Sequence, residues 1–204
     1  MSIPVTRTLC KKPKFEDEST LGFGRVFTDH MFIADYEEEL GWHDARIVPY
    51  QPFSIDPASP VLHYSLEVFE GLKAYHYENG EVGLFRPELN CERLNSSAER
   101  MCLPPIDADL QLEAIETLVD LERGWVPKSS GTSLYIRPTM IGDGSRLGIC
   151  KAQRYIYYII CSPSGSFYPR GIQPLRIYIE DSYVRAVAGG TGSVKTGGNY
   201  ASSL

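Results

Sequence analysis

The run Ser133-Leu-Tyr-Ile-Arg-Pro-Thr-Met-Ile141, with its companion Tyr155-Ile-Tyr-Tyr-Ile-Ile-Cys161, decides the fold. Both are dense in β-branched and aromatic residues, which pack well on a pleated surface, and they predict two strong strands. A third run, Leu175 to Ile179, reads the same way. It is separated from the second by Ser162-Pro-Ser-Gly-Ser166 and by a linker-like stretch from Pro169 to Pro174. Upstream the period changes. Leu112, Ile115, Leu118, Val119 and Leu121 form a helical stripe from Asp107 or Asp109 to about Arg123, with Gly124 as a stop. An earlier helix is predicted from Pro87 to about Met101. Before it, Leu72 to Phe85 reads as a hairpin turning on Asn79-Gly80, two residues that tolerate positive φ. Ala58 to Phe69 is ambiguous, because Leu62, Leu66 and Phe69 have helical spacing. Phe23 to Tyr36 reads as two strand pieces around a Thr28-Asp29-His30 turn, and residues 1 to about 20 as an extended, loosely attached arm. Strands and helices mix without βαβ alternation, so the fold class is α+β.

Composition bounds the function. With 43% hydrophobic and 23% charged residues the chain is an ordinary globular protein. A net charge of -6 argues against nucleic acid or anionic membrane as the main partner. No apolar run approaches the roughly 18 residues of a membrane helix. Met1 to Lys14 lacks the apolar core of a secretory signal, and Pro4 and Pro13 interrupt any transit-peptide helix. The expected location is the cytoplasm, with the mitochondrion as the alternative. Five cysteines, none in a CxxC pair, predict reduced thiols and no metal site.

The segment Gly189-Gly-Thr-Gly-Ser-Val-Lys-Thr-Gly-Gly-Asn-Tyr200 sets five glycines around Lys195. Glycine lets backbone approach a ligand closely, and a lysine aimed from such turns into a cleft suits Schiff-base chemistry. A P-loop reading fails because Val194 stands where the glycine before the lysine must be. An exposed glycine-rich loop with an ordinary surface lysine is the bland alternative. Asn199 is placed to cap a helix whose first turn is Tyr200 to Ser203, yet the sequence stops at Leu204. A single turn does not persist without a surface to pack on, so the chain is expected to be a fragment.

Several segments, in order, carry a more specific signal: Phe23-Gly24, Val26-Phe-Thr-Asp-His-Met31, Leu62-His-Tyr-Ser-Leu66, Phe69-Glu-Gly-Leu-Lys-Ala74, Leu84-Phe-Arg-Pro87, Asn90-Cys-Glu-Arg93, Gly131-Thr-Ser-Leu-Tyr-Ile-Arg-Pro138 and Lys195-Thr-Gly-Gly-Asn-Tyr200. From about residue 20 onward the chain resembles the branched-chain amino acid aminotransferases, pyridoxal 5'-phosphate enzymes of fold type IV. The resemblance implies an N-terminal α+β domain over 1–168, a linker over 169–181, and the start of the larger cofactor-binding domain over 182–204. It implies amino transfer from leucine, isoleucine or valine to 2-oxoglutarate, in biosynthesis or catabolism, by a homodimer. Lys195 is then the cofactor-bearing lysine and proton shuttle, Arg93 a phosphate ligand, and Tyr200 a contact to the cofactor. Phe23, Tyr64, Phe69, Tyr135 and Arg137 line the substrate pocket, Tyr64 serving the neighbouring subunit, and Arg185 lies near the site. The alternatives are a D-amino acid aminotransferase or aminodeoxychorismate lyase relative, and an inactive truncated product acting as a binding module. Whole family members are longer, and the missing part carries the carboxylate that pairs with the pyridine nitrogen.

Overall fold

The computed structural model describes residues 2–166, 168, 173–201 and 203. Its centre is an antiparallel pair, β6 and β7 below, formed by the two runs that dominate the sequence. In chain order the elements are β1 (His30–Glu37), β2 (Gly41–Pro49), α1 (Pro60–Tyr64), β3 (Glu67–Phe69), β4 (Leu72–His76), β5 (Val82–Leu84), α2 (Pro87–Arg100), α3 (Ala108–Leu121), β6 (Ser133–Asp143), β7 (Arg154–Ser164) and α4 (Gly198–Ala201). The strands form one seven-stranded sheet in the order β2-β1-β7-β6-β4-β5, with β3 also paired to β6.

Strand alternation divides the sheet into two faces. Along β7, Tyr155, Tyr157, Ile159 and Cys161 are buried, while Ile156, Tyr158 and Ile160 between them are half-buried. Leu134 and Ile136 of β6 join the buried set, together with Phe32, Ala34 and Val68. The helices cover that face: Leu94 and Ala98 of α2, and Ala114, Ile115 and Leu118 of α3, complete the core. The opposite face carries Tyr135 and Arg137, one step out of phase on β6.

β3 and β4 pair with the same edge of β6, at Thr139–Ile141 and Leu134–Ile136 respectively. The join falls at Glu70-Gly71, where the Glu70 N–H donates to the Pro138 carbonyl at 2.8 Å. A side chain at 71 would collide with the Tyr135 hydroxyl, so only glycine lets Tyr135 lie across this join.

The hairpin β4–β5 turns at Asn79-Gly80 with Gly80 at φ 87°, as its sequence predicts. α3 starts at Asp107, whose carboxylate accepts from the Asp109 and Leu110 backbone N–H groups. Asp107→Ala should therefore cost about 1 kcal/mol, seen as a lower urea midpoint at unchanged m-value. A midpoint that does not move would remove the cap from the account of this helix.

Four expectations are corrected. Phe23 to Phe27 is not a strand, because Gly22 and Gly24 adopt φ of 61° and 65° and break the extended backbone. His30 is the first residue of β1 rather than part of a turn. Ala58 to Phe69 is neither one helix nor one strand: α1 ends on Ser65 in the left-handed region, and β3 follows. Leu175 to Ile179 joins no ladder among the described residues, and Leu175, Ile177, Tyr178 and Ile179 are 63 to 84% exposed. Strand-forming side chains do not make a strand where no neighbour takes up the backbone N–H and C=O groups. In the Pro169 to Pro174 stretch, residues 169–172 lie outside the described residues.

The N-terminal arm is also fastened more firmly than its polarity predicts. Ile3 is buried in the core, and the Thr6 N–H donates to Ile47 at 2.9 Å while the Ile47 N–H donates to Pro4 at 2.8 Å. The Thr8 N–H donates to Nε2 of His30 at 2.9 Å, so Nδ1 carries the proton in the neutral ring and donates it to buried Glu122. Lys12 binds Asp29 through its backbone N–H, at 2.8 Å, and the Thr28 carbonyl through its amine, at 2.7 Å.

Candidate active site

The lysine segment lies across the end of β3 and the side of α2. The Phe69 N–H donates to the Lys195 carbonyl at 2.9 Å, and the Lys195 N–H donates to the Ser97 hydroxyl at 3.1 Å. Thr196 and Val194 on either side are buried. Lys195 is thus held by its backbone, and its half-buried side chain is left to point elsewhere. Its Nζ lies 3.0 Å from the Tyr200 hydroxyl, 4.6 Å from the centre of the Phe69 ring and 5.2 Å from that of Tyr200.

Asn199 does not cap the last helix. It sits within α4, buried, and its amide donates to the Thr191 and Val194 carbonyls at 2.7 and 2.8 Å. The side chain ties the start of the helix back onto the glycine-rich loop, a tertiary role that local sequence pattern does not announce.

From Phe69 a row of side chains continues along the open face of the sheet. The Arg137 guanidinium lies 4.5 Å from the Phe69 ring centre and donates to the Tyr135 hydroxyl at 2.9 Å. The Tyr135 ring meets Phe23 edge-on at 4.8 Å. Phe23, Gly24, Phe27, Tyr135, Arg137, Ile160 and Ser162 line a cavity of about 200 Å³. Five predicted positions, Phe23, Tyr135, Arg137, Phe69 and Tyr200, are therefore linked to Lys195 by successive contacts.

Arg93 approaches from α2, one turn before Ser97. It forms a two-pronged pair with Glu70, with Nη2 2.8 Å from the carboxylate, and the Tyr200 phenol faces it electrostatically. Its side chain is 56% exposed, and Nη1 has no hydrogen-bond partner among the described residues. Glu70 is 1% exposed and also accepts from the Asn90 amide at 2.7 Å and the Gly71 N–H at 3.0 Å. The carboxylate holds the guanidinium by one edge and leaves the other open. That donor set suits an anion with several oxygens.

Two predicted residues do not join the row of side chains around Lys195. The Tyr64 hydroxyl accepts from the Gly148 N–H at 3.1 Å, and no contact of its side chain with Lys195, Phe69 or Tyr200 occurs among the described residues. Arg185 is exposed and reaches the Gly192 carbonyl at 3.5 Å.

Glu67 escaped the sequence reading. It lies two residues before Phe69 on β3, hence on the same face, and its carboxylate accepts from the Gly197 N–H. Burial raises its pKa above the usual carboxylate range, opposed by the Gly197 hydrogen bond and by the charge of Arg137. A carboxyl group that is more basic folded than unfolded contributes stability at low pH. This contribution fades as pH rises from the ordinary carboxylate value through the raised one. Glu67→Gln should remove this component of the stability curve, so wild type should lose more stability than the variant between acid and neutral pH. Parallel curves for the two proteins, measured by urea melts, would refute this.

For an aldehyde cofactor with a phosphate, the residues present form a fitting partial set. One amine is held by its backbone, a phenol touches it, an aromatic ring lies beneath it, and a half-free guanidinium comes from the adjacent helix. No helix of the described residues is long and apolar enough to cross a membrane, and no cluster of metal-ligating side chains occurs among them.

No family model matches the chain. Relatives do. The chain is 54% identical over 203 residues to branched-chain-amino-acid aminotransferase 2 of Bacillus subtilis, covering 100% of this chain and 56% of the relative. It is 56% identical over 189 residues to branched-chain-amino-acid transaminase 1 of the same organism, covering 92% and 53%. Among solved structures, the branched-chain aminotransferase of Thermoproteus uzoniensis with norvaline matches with a TM-score of 0.63 at 24% identity, over 85% of this chain and 54% of that one. A T.th. branched-chain amino acid aminotransferase complexed with N-(5'-phosphopyridoxyl)-L-glutamate matches with a TM-score of 0.60 at 25% identity, over 84% and 52%. The α+β architecture is thus that of the fold-type IV aminotransferases. The chain spans about half the length of the curated relatives it matches. By sequence and by fold, this chain is similar to the branched-chain-amino-acid aminotransferases over about half of their length.

Proposed function

We propose that the protein transfers the amino group of leucine, isoleucine or valine to 2-oxoglutarate, using pyridoxal 5'-phosphate. The observation that carries this reading is the Lys195 amine, fixed through its backbone and resting on the Tyr200 hydroxyl and the Phe69 ring. When bound, the cofactor supplies an aldehyde that takes up the amino group and a ring that draws electrons from the substrate. Lys195 holds the aldehyde, then moves a proton from the substrate Cα, oriented by Tyr200. Arg93 binds phosphate with the edge that Glu70 leaves open. Arg137, steadied by Tyr135, receives the substrate carboxylate. Phe23, Phe69 and Tyr135 offer apolar walls to a side chain that presents only methyl groups.

The same reading assigns 1–168 to an N-terminal domain, 169–181 to a linker and 182–204 to the start of the cofactor-binding domain. It places Tyr64 in the pocket of the second subunit of a homodimer and the protein in the cytoplasm.

The test is a substrate panel on the protein expressed from its complete reading frame, with pyridoxal phosphate and 2-oxoglutarate, scored by glutamate release. L-Leucine, L-isoleucine and L-valine should outrun D-alanine by at least about tenfold, the discrimination expected of a pocket read by methyl contacts. Faster turnover of D-alanine would overturn the substrate assignment.

A further inference from the structure

We infer that Glu67 is a positioning residue for the Lys195 amine, acting through the Gly197 N–H. β3 grips the lysine segment at two points two residues apart on each side. The Phe69 N–H holds the Lys195 carbonyl, and the Glu67 carboxylate holds the Gly197 N–H. Between them Thr196 is buried, its hydroxyl 3.5 Å from the Ser65 carbonyl just before β3. The segment therefore runs along β3 as a short, side-chain-assisted extension of the sheet.

The second grip sets the tyrosine. The Gly197 carbonyl accepts the Tyr200 N–H at 2.8 Å and the Ala201 N–H at 3.3 Å, so Gly197 starts the single turn of α4. One helical turn has no stability of its own and takes its direction from what holds its first residue. Glu67 holds that residue. Tyr200, whose hydroxyl touches the Lys195 amine, is thereby aimed from β3 rather than from its own helix.

The identity of residue 197 fits this arrangement. A Cβ built on Gly197 would collide with the Glu67 carboxylate oxygen, while the backbone there is not in the left-handed region. A side chain at 197 would displace the carboxylate from its place against the backbone, whereas the turn itself makes no demand for glycine. Glu67 also lies within electrostatic reach of Arg137 of β6, at the guanidinium end of the same row, and of the Tyr158 phenol of β7.

The inference rests on the reading of Lys195 as the cofactor-bearing amine for its consequence, but its test does not need the cofactor. In the wild-type protein without cofactor, the Gly197 amide should be protected from hydrogen exchange, and its NMR shift should follow the titration of Glu67. Nuclear Overhauser contacts should join the Lys195 side chain to the Tyr200 ring. Glu67→Ala should abolish all three, and Glu67→Gln, which keeps an acceptor oxygen, should restore the protection and the Lys195–Tyr200 contacts. Gly197→Ala should break those contacts in the wild-type background and change nothing further in Glu67→Ala. With pyridoxal phosphate added, borohydride trapping on Lys195 should fall at least about tenfold in Glu67→Ala and recover in Glu67→Gln, the size expected for one lost charge-assisted hydrogen bond.

An unprotected, non-titrating Gly197 amide in the wild type would overturn the inference without any variant having to fold. So would Lys195–Tyr200 contacts that survive in Glu67→Ala. Intact contacts in the wild type combined with no trapped label on Lys195 would instead count against the function proposed above and leave the positioning role standing.

Discussion

Replacing Lys195 with alanine is expected to abolish borohydride-trapped pyridoxal phosphate and to lower amino transfer by about 10⁴-fold, the upper range for losing a positioned proton-transfer group. On the proposed reading the amine serves twice, as the anchor of the aldehyde and as the base at the substrate Cα, and no second amine touches Phe69 or Tyr200 among the described residues. Tyr200 is the only group whose hydroxyl bonds to it among the described residues, and it lacks a nucleophilic amine. The substitution should leave the fold intact, since Ser97 and Phe69 hold residue 195 through its backbone. An unchanged melting curve with a lost label is the expected combination. Label found on a different lysine in the wild type would sink the assignment.

Arg93→Ala should be harmful in a different way. It strips the guanidinium from Glu70, which is 1% exposed, and leaves a buried carboxylate with only the Asn90 amide and the Gly71 N–H. The guanidinium is more than half exposed, so its removal opens the carboxylate to water, and with two donors remaining the cost should be about 1 to 3 kcal/mol. Affinity for pyridoxal phosphate should fall at least about tenfold as well, since a charge-assisted hydrogen bond is lost. Adding Glu70→Gln should recover much of the stability and none of the affinity. Urea denaturation of both variants, with fluorescence titration of the cofactor, separates the two effects. A double variant as unstable as Arg93→Ala would mean that the buried charge is not the cause.

Legibility in the sequence followed the physics of each segment. α2, α3, the β4–β5 hairpin and the β6–β7 pair were legible because local propensity, period and turn residues all agree there. β2, Gly41–Pro49, drew no prediction: Trp42-His43-Asp44-Ala45-Arg46 has no clean alternation, because this strand lies at the sheet edge and only Ile47 is fully buried. Leu175 to Ile179 misled for the opposite reason, offering strand-forming side chains without a partner. At the candidate site, glycine content drew attention to Lys195, and the resemblance supplied Arg93, Tyr135, Arg137 and Tyr200. Glu67 and Glu70 stayed hidden, and Asn199 was assigned the wrong role, because each acts through tertiary contacts rather than local pattern. Glu67 meets Gly197 130 residues away, and Glu70 meets Arg93 23 residues away, separations that no local window spans.

The attachment of the first residues to β2 has a consequence for colloidal behaviour. A border strand normally displays a ladder of vacant amides and carbonyls that a foreign chain can adopt, which is how sheets recruit one another into aggregates. Here the Pro4 carbonyl and the Thr6 N–H occupy the Ile47 positions on that border. The opening residues thus work as a selvedge, finishing the sheet where it would otherwise fray into its neighbours.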